Sequence, residues 1–477
     1  MSENKVTLES KLTVVSSRPV KSGKTHKLSG VDHAMGYHTL HLIFYYKNEE
    51  KWFGSFELDP LRESLSEVLS IYPTVTGRLA REKEEDGGDW EVRCNDAGVR
   101  VIKANVDCTI DEWLSSSAFG FDETQLIAWD DMPHDTSTWS PFRIQILQIY
   151  HFNSTIPLDN SVVFTHHRIR TNQINKQFQE GGLAIGLSCS HMLSDLTFAS
   201  SFLKSWSQTH RHYPISHPPF FNPITPNNIN NVPNSSSKPQ TIITSSTNNI
   251  VTATFKFPSS IIKQCLSKIQ NTTCSNATPF DFLSALFWTR VTHLKPSKVH
   301  NQNHSLSICR DFRKLVKPSL PIGYFGNALH FSNLSIKVQD MENGQLEDMA
   351  NLIHKHLKEV TEEEIRSSIE SFETRKESTP KCMYGSELTC VYMEEEESAS
   401  LLYESMFSNS EKPAHVSCRI GNVDSEGLIM VMPSSEGGFA RTVIVMLQEE
   451  ELGKLCNDQE ILKLEPTIIL AGCLVQH

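Results

Sequence analysis

Seven prolines (Pro214, Pro218, Pro219, Pro223, Pro226, Pro233 and Pro239) stand between residues 207 and 249, interleaved with Asn and Ser runs. Proline removes a backbone donor, and Asn and Ser side chains compete for backbone groups, so this stretch predicts irregular chain. A structureless loop of that length inside one compact domain is unusual. The economical reading is a linker. It divides the chain into an N-terminal domain over 1–206, a Pro/Asn/Ser-rich crossover over 207–249 and a C-terminal domain over 250–477. Two shorter interruptions are an acidic turn at 82–89 and a polar, Asn- and His-bearing insertion at 151–180 that carries His166 and His167.

Composition narrows the class. The 477 residues carry 44 Lys+Arg against 56 Asp+Glu, a formal net charge of −12, with 38% apolar and 21% charged residues. A chain of this length can bury a full core, and about 150 residues per domain gives two or three domains as a prior. No window approaches the run of about 18 apolar residues that a membrane span needs. The opening residues have no apolar stretch of secretory type, so no signal peptide is expected. An acidic chain lacks the clustered Lys and Arg that phosphate neutralisation requires, which argues against nucleic acid. The cysteines number 11 and none has CxxC spacing. They are expected to be reduced, acting as small apolar side chains and not as disulfides or a metal site.

Local patterns predict a mixture of helices and strands. Residues 59–72 read as a helix, with Asp59 as a cap, Pro60 in its first turn, and Leu61, Leu65, Val68, Leu69 and Tyr72 in one apolar stripe. Residues 196–206 and 280–291 also have helical spacing. The runs 39–46, 142–150, 183–189 and 439–447 are short, apolar and rich in β-branched residues, as strands are. Strict βαβ alternation is missing, so the fold class is α+β with mixed sheets. The acidic run at Glu394–Glu397 reads as an exposed face, and Gly323-Tyr324-Phe325-Gly326-Asn327 as a turn.

The chemical candidate is 181–206. A buried strand, Leu183 to Cys189, leads into a turn that carries His191, and a helix begins near Asp195. A histidine leaving a strand end is placed to face a cleft, and its unperturbed pKa of about 6.5 suits a general base. Asp195 sits where a carboxylate caps a helix. Of the 20 histidines, His191 alone is followed four residues later by Asp. The same pattern also fits a structural histidine beside a helix cap.

Together these residues resemble a known family. His191-Met192-Leu193-Ser194-Asp195 is similar to the HxxxD signature of the BAHD acyltransferases, acyl-CoA-dependent plant enzymes. The segments 61–79, 94–107 and 321–329 are similar to that family's first helix and PxxGR turn, its next strand pair and its GYFGN segment. The resemblance runs from about residue 25 to residue 460. It implies two chloramphenicol-acetyltransferase-like domains joined by a long crossover loop, with a tunnel between them. It implies acyl-CoA as co-substrate, with no bound cofactor and no metal. It implies that His191 deprotonates an alcohol or amine acceptor and that Asp195 is structural. The family's DGR segment falls on Asp311-Phe312-Arg313, which makes Arg313 the partner of Asp195.

The family's second signature, DFGWG, is replaced here by Phe407-Ser408-Asn409-Ser410-Glu411. Both glycines and the tryptophan are gone, so the backbone freedom of that loop is not reproduced. The eceriferum, or glossy-type, cuticular wax proteins share this departure, and the segments 26–46, 93–106 and 439–455 resemble theirs. That likeness implies a partner, the condensing enzyme of the very-long-chain fatty-acid elongase. It also implies a place at the cytosolic face of the endoplasmic reticulum, with the nucleus as a second compartment, and a monomer apart from the partner. Three readings follow: an elongase accessory protein, a working O- or N-acyltransferase with His191 as base, and a fold retained for protein binding alone.

Overall fold

The structure, a computed structural model, describes residues 6–18, 23–47, 58–82, 88–114, 123–152, 178–222, 250–272, 274–295, 303–374 and 382–469. Two mixed sheets dominate it. The first has six strands in the order β1-β6-β7-β8-β3-β13. These are β1 Val6–Val14, β6 Val99–Asp107, β7 Phe142–Phe152, β8 Phe178–Ser190, β3 Thr39–Tyr46 and β13 His415–Gly421. The second has seven strands in the order β11-β10-β12-β14-β15-β9-β16. These are β11 Leu329–Lys337, β10 Asn303–Asp311, β12 Thr389–Tyr392, β14 Leu428–Pro433, β15 Arg441–Gln448, β9 Ile250–Phe257 and β16 Thr467–Ile469. A small sheet, β2 Thr25–Lys27, β5 Trp90–Arg93 and β4 Arg78–Arg81, completes the strands.

The first sheet is not built from the first half alone. Strand β13 pairs antiparallel with β3, from His415↔Tyr45 to Gly421↔Thr39. The second half of the chain thus reaches back to close the edge beside β3, and the two halves share a core. One buried cluster joins Leu42, Phe44 and Trp206 to Cys309, Met430 and Ile444. A second cluster belongs to the later half, with Phe255, Phe287, Trp288 and Ile308 at its centre.

Several elements depart from their expected bounds for identifiable reasons. The first amphipathic helix spans Leu58–Leu69, so Asp59 lies inside its first turn and pairs with Arg62 at 2.9 Å instead of capping it. Ser70, Ile71 and Tyr72 continue in tighter turns, bonding back three residues, because Pro73 disfavours helical backbone at the residue before it. Tyr72 still buries its ring with Leu61 and Leu65. Strand β8 begins at Phe178 and β7 runs to Phe152, so both ends of the expected polar insertion are strand. His166 and His167 lie outside the described residues. The helix that follows β8 spans Leu196–His210, four residues beyond Trp206, and stops where His212 takes a left-handed φ of 59°. The start of the proline-rich stretch is held against the second half: Phe220 N–H donates to Gly323 O at 2.8 Å, and Phe325 N–H to Phe220 O at 2.9 Å. The acidic run differs as well. Glu394 is paired with Arg441 at 2.5 Å and Glu395 with Arg310 at 2.5 Å, both partly buried.

Candidate functional site

His191 lies where β8 ends, on a single 3-10 turn, His191–Leu193, between the two sheets. Its ring is buried, with 1% of the residue exposed. Backbone bonds fix the turn, with His191 N–H donating to His38 O at 3.0 Å and Ser194 N–H to His191 O at 3.3 Å. Asp195 then caps the next helix, its Oδ1 accepting from Phe198 N–H at 2.9 Å.

Asp195 and Arg313 meet in a buried, two-pronged ion pair. Arg313 donates through Nη1 to Asp195 Oδ2 at 2.8 Å and through Nη2 to Asp195 Oδ1 at 3.0 Å. Asp195 Oδ2 also accepts Ala328 N–H at 2.9 Å. Arg313 bonds Asp311 Oδ2 at 2.7 Å and Tyr324 O at 3.1 Å as well. Burial works against the guanidinium charge, but the Asp195 and Asp311 carboxylates outweigh it and raise its pKa. The pair ties the His191 turn to β10 and to the segment before β11. Asp195 makes no hydrogen bond to the imidazole among those resolved; its partners are Arg313 and the Phe198 and Ala328 N–H groups.

Asn327 holds the imidazole instead. Its Nδ2 donates to Asp32 Oδ1 at 2.9 Å and to His191 O at 2.8 Å. With the amide nitrogen so committed, its Oδ1 faces His191 Nδ1 at 3.0 Å and accepts the proton there. His191 therefore carries its hydrogen on Nδ1 and presents a lone pair on Nε2. Burial lowers the His191 pKa, so the ring is neutral at pH 7. Asp32 fixes this arrangement, accepting also from Ser29 N–H at 2.8 Å, Ser29 Oγ at 2.7 Å and Asn327 N–H at 2.7 Å. Gly326, at φ 98°, passes so close to Asp32 that a Cβ there would lie 2.7 Å from its carboxylate. The turn expected at 323–327 is thus also the mount of the histidine.

On the other side of the ring, the Tyr384 hydroxyl stands 3.3 Å from His191 Nε2. Nothing in the sequence around Tyr384 signals this contact, and Asp32 and His38 are likewise residues that sequence reasoning did not single out, while Asn327 enters there only as part of the 323–327 turn. The cavity beside His191 is lined by Tyr384, Cys309, Asp311, Val391, Met393 and Ile420 among others.

The segment in place of DFGWG lies elsewhere. Phe407 is buried, with its ring 4.9 Å from that of Trp206 and 6.0 Å from that of Tyr46. Ser408 Oγ accepts Glu411 N–H at 2.9 Å. None of Phe407, Ser408, Asn409, Ser410 and Glu411 lines the cavity at His191. Among the described residues no group of three or more His, Cys, Asp or Glu could hold a metal ion, and no two of the ten described cysteines are joined by a disulfide.

Comparison with known proteins agrees with this geometry. The sequence model described as "Transferase family" matches residues 4–156 and 157–462. Protein ECERIFERUM 2 of Arabidopsis thaliana is 26% identical over 93% of this chain and 95% of its own length. A hydroxycinnamoyltransferase of Narcissus pseudonarcissus is 24% identical over 86% of this chain and 89% of its own. Among solved structures, vinorine synthase superposes with a TM-score of 0.67 at 17% identity, over 99% of this chain and 100% of its own. F. graminearum TRI101 complexed with ethyl coenzyme A gives 0.68 at 14% identity, over 92% of this chain and 98% of its own. On the match to the family model over nearly its whole length, the chain belongs to the Transferase family, the BAHD acyltransferases.

Proposed function

We propose that this chain is a BAHD-fold protein of cuticular wax biosynthesis that promotes elongation of very-long-chain fatty acids with an elongase condensing enzyme, without itself transferring acyl groups. The observation that carries the reading lies at the base itself: the Tyr384 hydroxyl stands 3.3 Å from His191 Nε2, so a group of the chain holds the position an acceptor hydroxyl would take. Two further points support it. The DFGWG position holds Phe407 to Glu411, and Phe407 is committed to the first core. The likeness to Protein ECERIFERUM 2 covers both halves of the chain. No helix among the described residues is long and apolar enough to cross a membrane. A net charge of −12 gives little electrostatic hold on anionic lipid, so the cytosolic face of the endoplasmic reticulum is reached through the protein partner. Yeast expressing a plant condensing enzyme, with and without this chain, provides the test. The reading expects acyl chains to lengthen when the chain is added. An unchanged chain-length profile with several condensing enzymes would sink it.

A second reading is favoured by the intact His191 mount. The neutral imidazole, its Nδ1 hydrogen held by Asn327, and the Asp195–Arg313 pair are what acyl-CoA-dependent O- or N-acyl transfer requires. F. graminearum TRI101, complexed with ethyl coenzyme A, shares the fold, which supports acyl-CoA as the co-substrate in that case. Release of coenzyme A by purified protein, dependent on an added hydroxylated aromatic, fatty alcohol or hydroxy acid, would establish it.

A further inference from the structure

His191 lacks nothing as a base except access. Its hydrogen is held on Nδ1, its Nε2 lone pair points toward the interior of the site, and the group that meets that lone pair is a hydroxyl of the chain itself. The geometry between Tyr384 and His191 is the one an acceptor hydroxyl would adopt at the moment of deprotonation, an O–H aimed at Nε2.

Tyr384 is held there from behind. Met383 N–H and Tyr384 N–H both donate to His38 Nε2, at 2.9 and 3.3 Å. With Nε2 accepting, His38 carries its hydrogen on Nδ1 and donates to Gly421 O at 3.1 Å. Asp424 N–H donates to Tyr384 O at 3.0 Å. The Tyr384 ring packs at 5.0 Å from the His38 ring, 5.5 Å from Phe331 and 5.7 Å from His191. Its hydroxyl also meets Cys309 Sγ at 3.9 Å, and both residues line the cavity. The carbonyl oxygen of His38 holds the His191 backbone while the His38 ring holds Tyr384, so one residue locks both partners in register.

We infer that Tyr384 is a built-in occupant of the acceptor position, and that behind it the chain keeps a latent acyl-thioester hydrolase activity. The inference rests on the reading that the unaltered chain does not transfer acyl groups. With the phenol removed, a water takes its place on His191 Nε2. The imidazole takes one proton from that water while its oxygen attacks the thioester carbonyl. The carbon–sulfur bond breaks, and the departing thiolate takes the proton from the imidazolium. The products are a fatty acid and coenzyme A, with nothing oxidised or reduced.

The test compares the unaltered protein with Tyr384→Ala and Tyr384→Leu, each with and without His191→Ala. Release of coenzyme A from a long-chain acyl-CoA is followed with a thiol reagent, and folding by circular dichroism. The unaltered protein should match the protein-free rate. The folded Tyr384 variants should release coenzyme A about 100-fold faster, the lower range of a positioned general base, and His191→Ala should abolish the gain. Folded Tyr384 variants at the unaltered rate, or a gain that survives His191→Ala, would overturn the inference and leave the accessory reading standing. Rapid release by the unaltered protein would overturn both. A measurement free of variants uses diethyl pyrocarbonate on the unaltered chain, with sites mapped by peptide mass. The exposed His134 should react and His191 should be protected. Equal reaction at the two histidines would refute the occlusion.

Discussion

Asp195 accepts four hydrogen bonds: Phe198 N–H, Ala328 N–H and both arms of Arg313. Removing one member of such a pair leaves a buried charge unmatched, which costs roughly 3–5 kcal/mol. Arg313→Leu should therefore lower the unfolding free energy obtained from urea titration by an amount of that order. Asp195→Asn is the finer probe, because Asn still caps a helix. It should lose stability through the lost charge and through the two donors left facing its amide nitrogen, and an unchanged midpoint would show that the pair is not what fastens the His191 turn. At this scale the sequence names His191 and Asp195 from a strand–turn–helix pattern that is local, and it names Arg313 through the family resemblance. Asn327 is legible only as part of a turn. Asp32 and Tyr384 reach His191 or its mount across separations of 295 and 193 residues, and no local pattern encodes such a contact.

At the scale of elements, the seam between β3 and β13 carries an acid sensitivity. His38 stands just before β3, His41 lies within it and His415 opens β13. Burial depresses all three to about 3, with the charge of His191 adding to the effect at His38, Arg419 at His41 and Lys256 at His415. The unfolded chain takes up these protons near 6.5 and the folded one does not. Their contribution is therefore complete above pH 6.5 and is lost as the pH falls toward 3, at about 1.4 kcal/mol per pH unit for each fully titrating group. Asp32 opposes them. Burial pushes it up to about 6, so its contribution is present at low pH and is lost as the pH rises from about 3.8 through 6. Among these four groups about two net protons remain to destabilise the fold in acid, and His26, which burial lowers to about 4, adds to them. The urea midpoint should fall steadily between pH 6.5 and 4.5, with hydrogen exchange in β13 accelerating first. A midpoint that stays level over that range would contradict the burial of these rings.

Phe407 tests the same scale from the packing side. Its ring sits among Trp206, Tyr46 and His210, so Phe407→Ala should cost about 3–5 kcal/mol. A loss below 1 kcal/mol by denaturant titration would mean that the loop is not anchored by this side chain. The main strands and helices are legible from the alternation and spacing of apolar residues, because that signal is local. The pairing of β13 with β3 is not. Val416 and Cys418 pair with Phe44 and Leu42 far back in the chain, and that register is not a local property.

For the whole molecule, the shared core between the halves means that the site is assembled by the complete chain. His191 comes from β8, Asn327 from the approach to β11, Tyr384 from the loop before β12, and the edge beside them from β13. The fold is that of an acyl transferase, and a tyrosine from the second half occupies the base. In the function proposed above, chain elongation does not pass through His191 chemistry. The direct measurement is fatty acyl chain length in yeast co-expressing a plant condensing enzyme with either the unaltered chain or a folded His191→Ala variant. Equal lengthening by both is expected. Loss of the added length in the variant alone would contradict it.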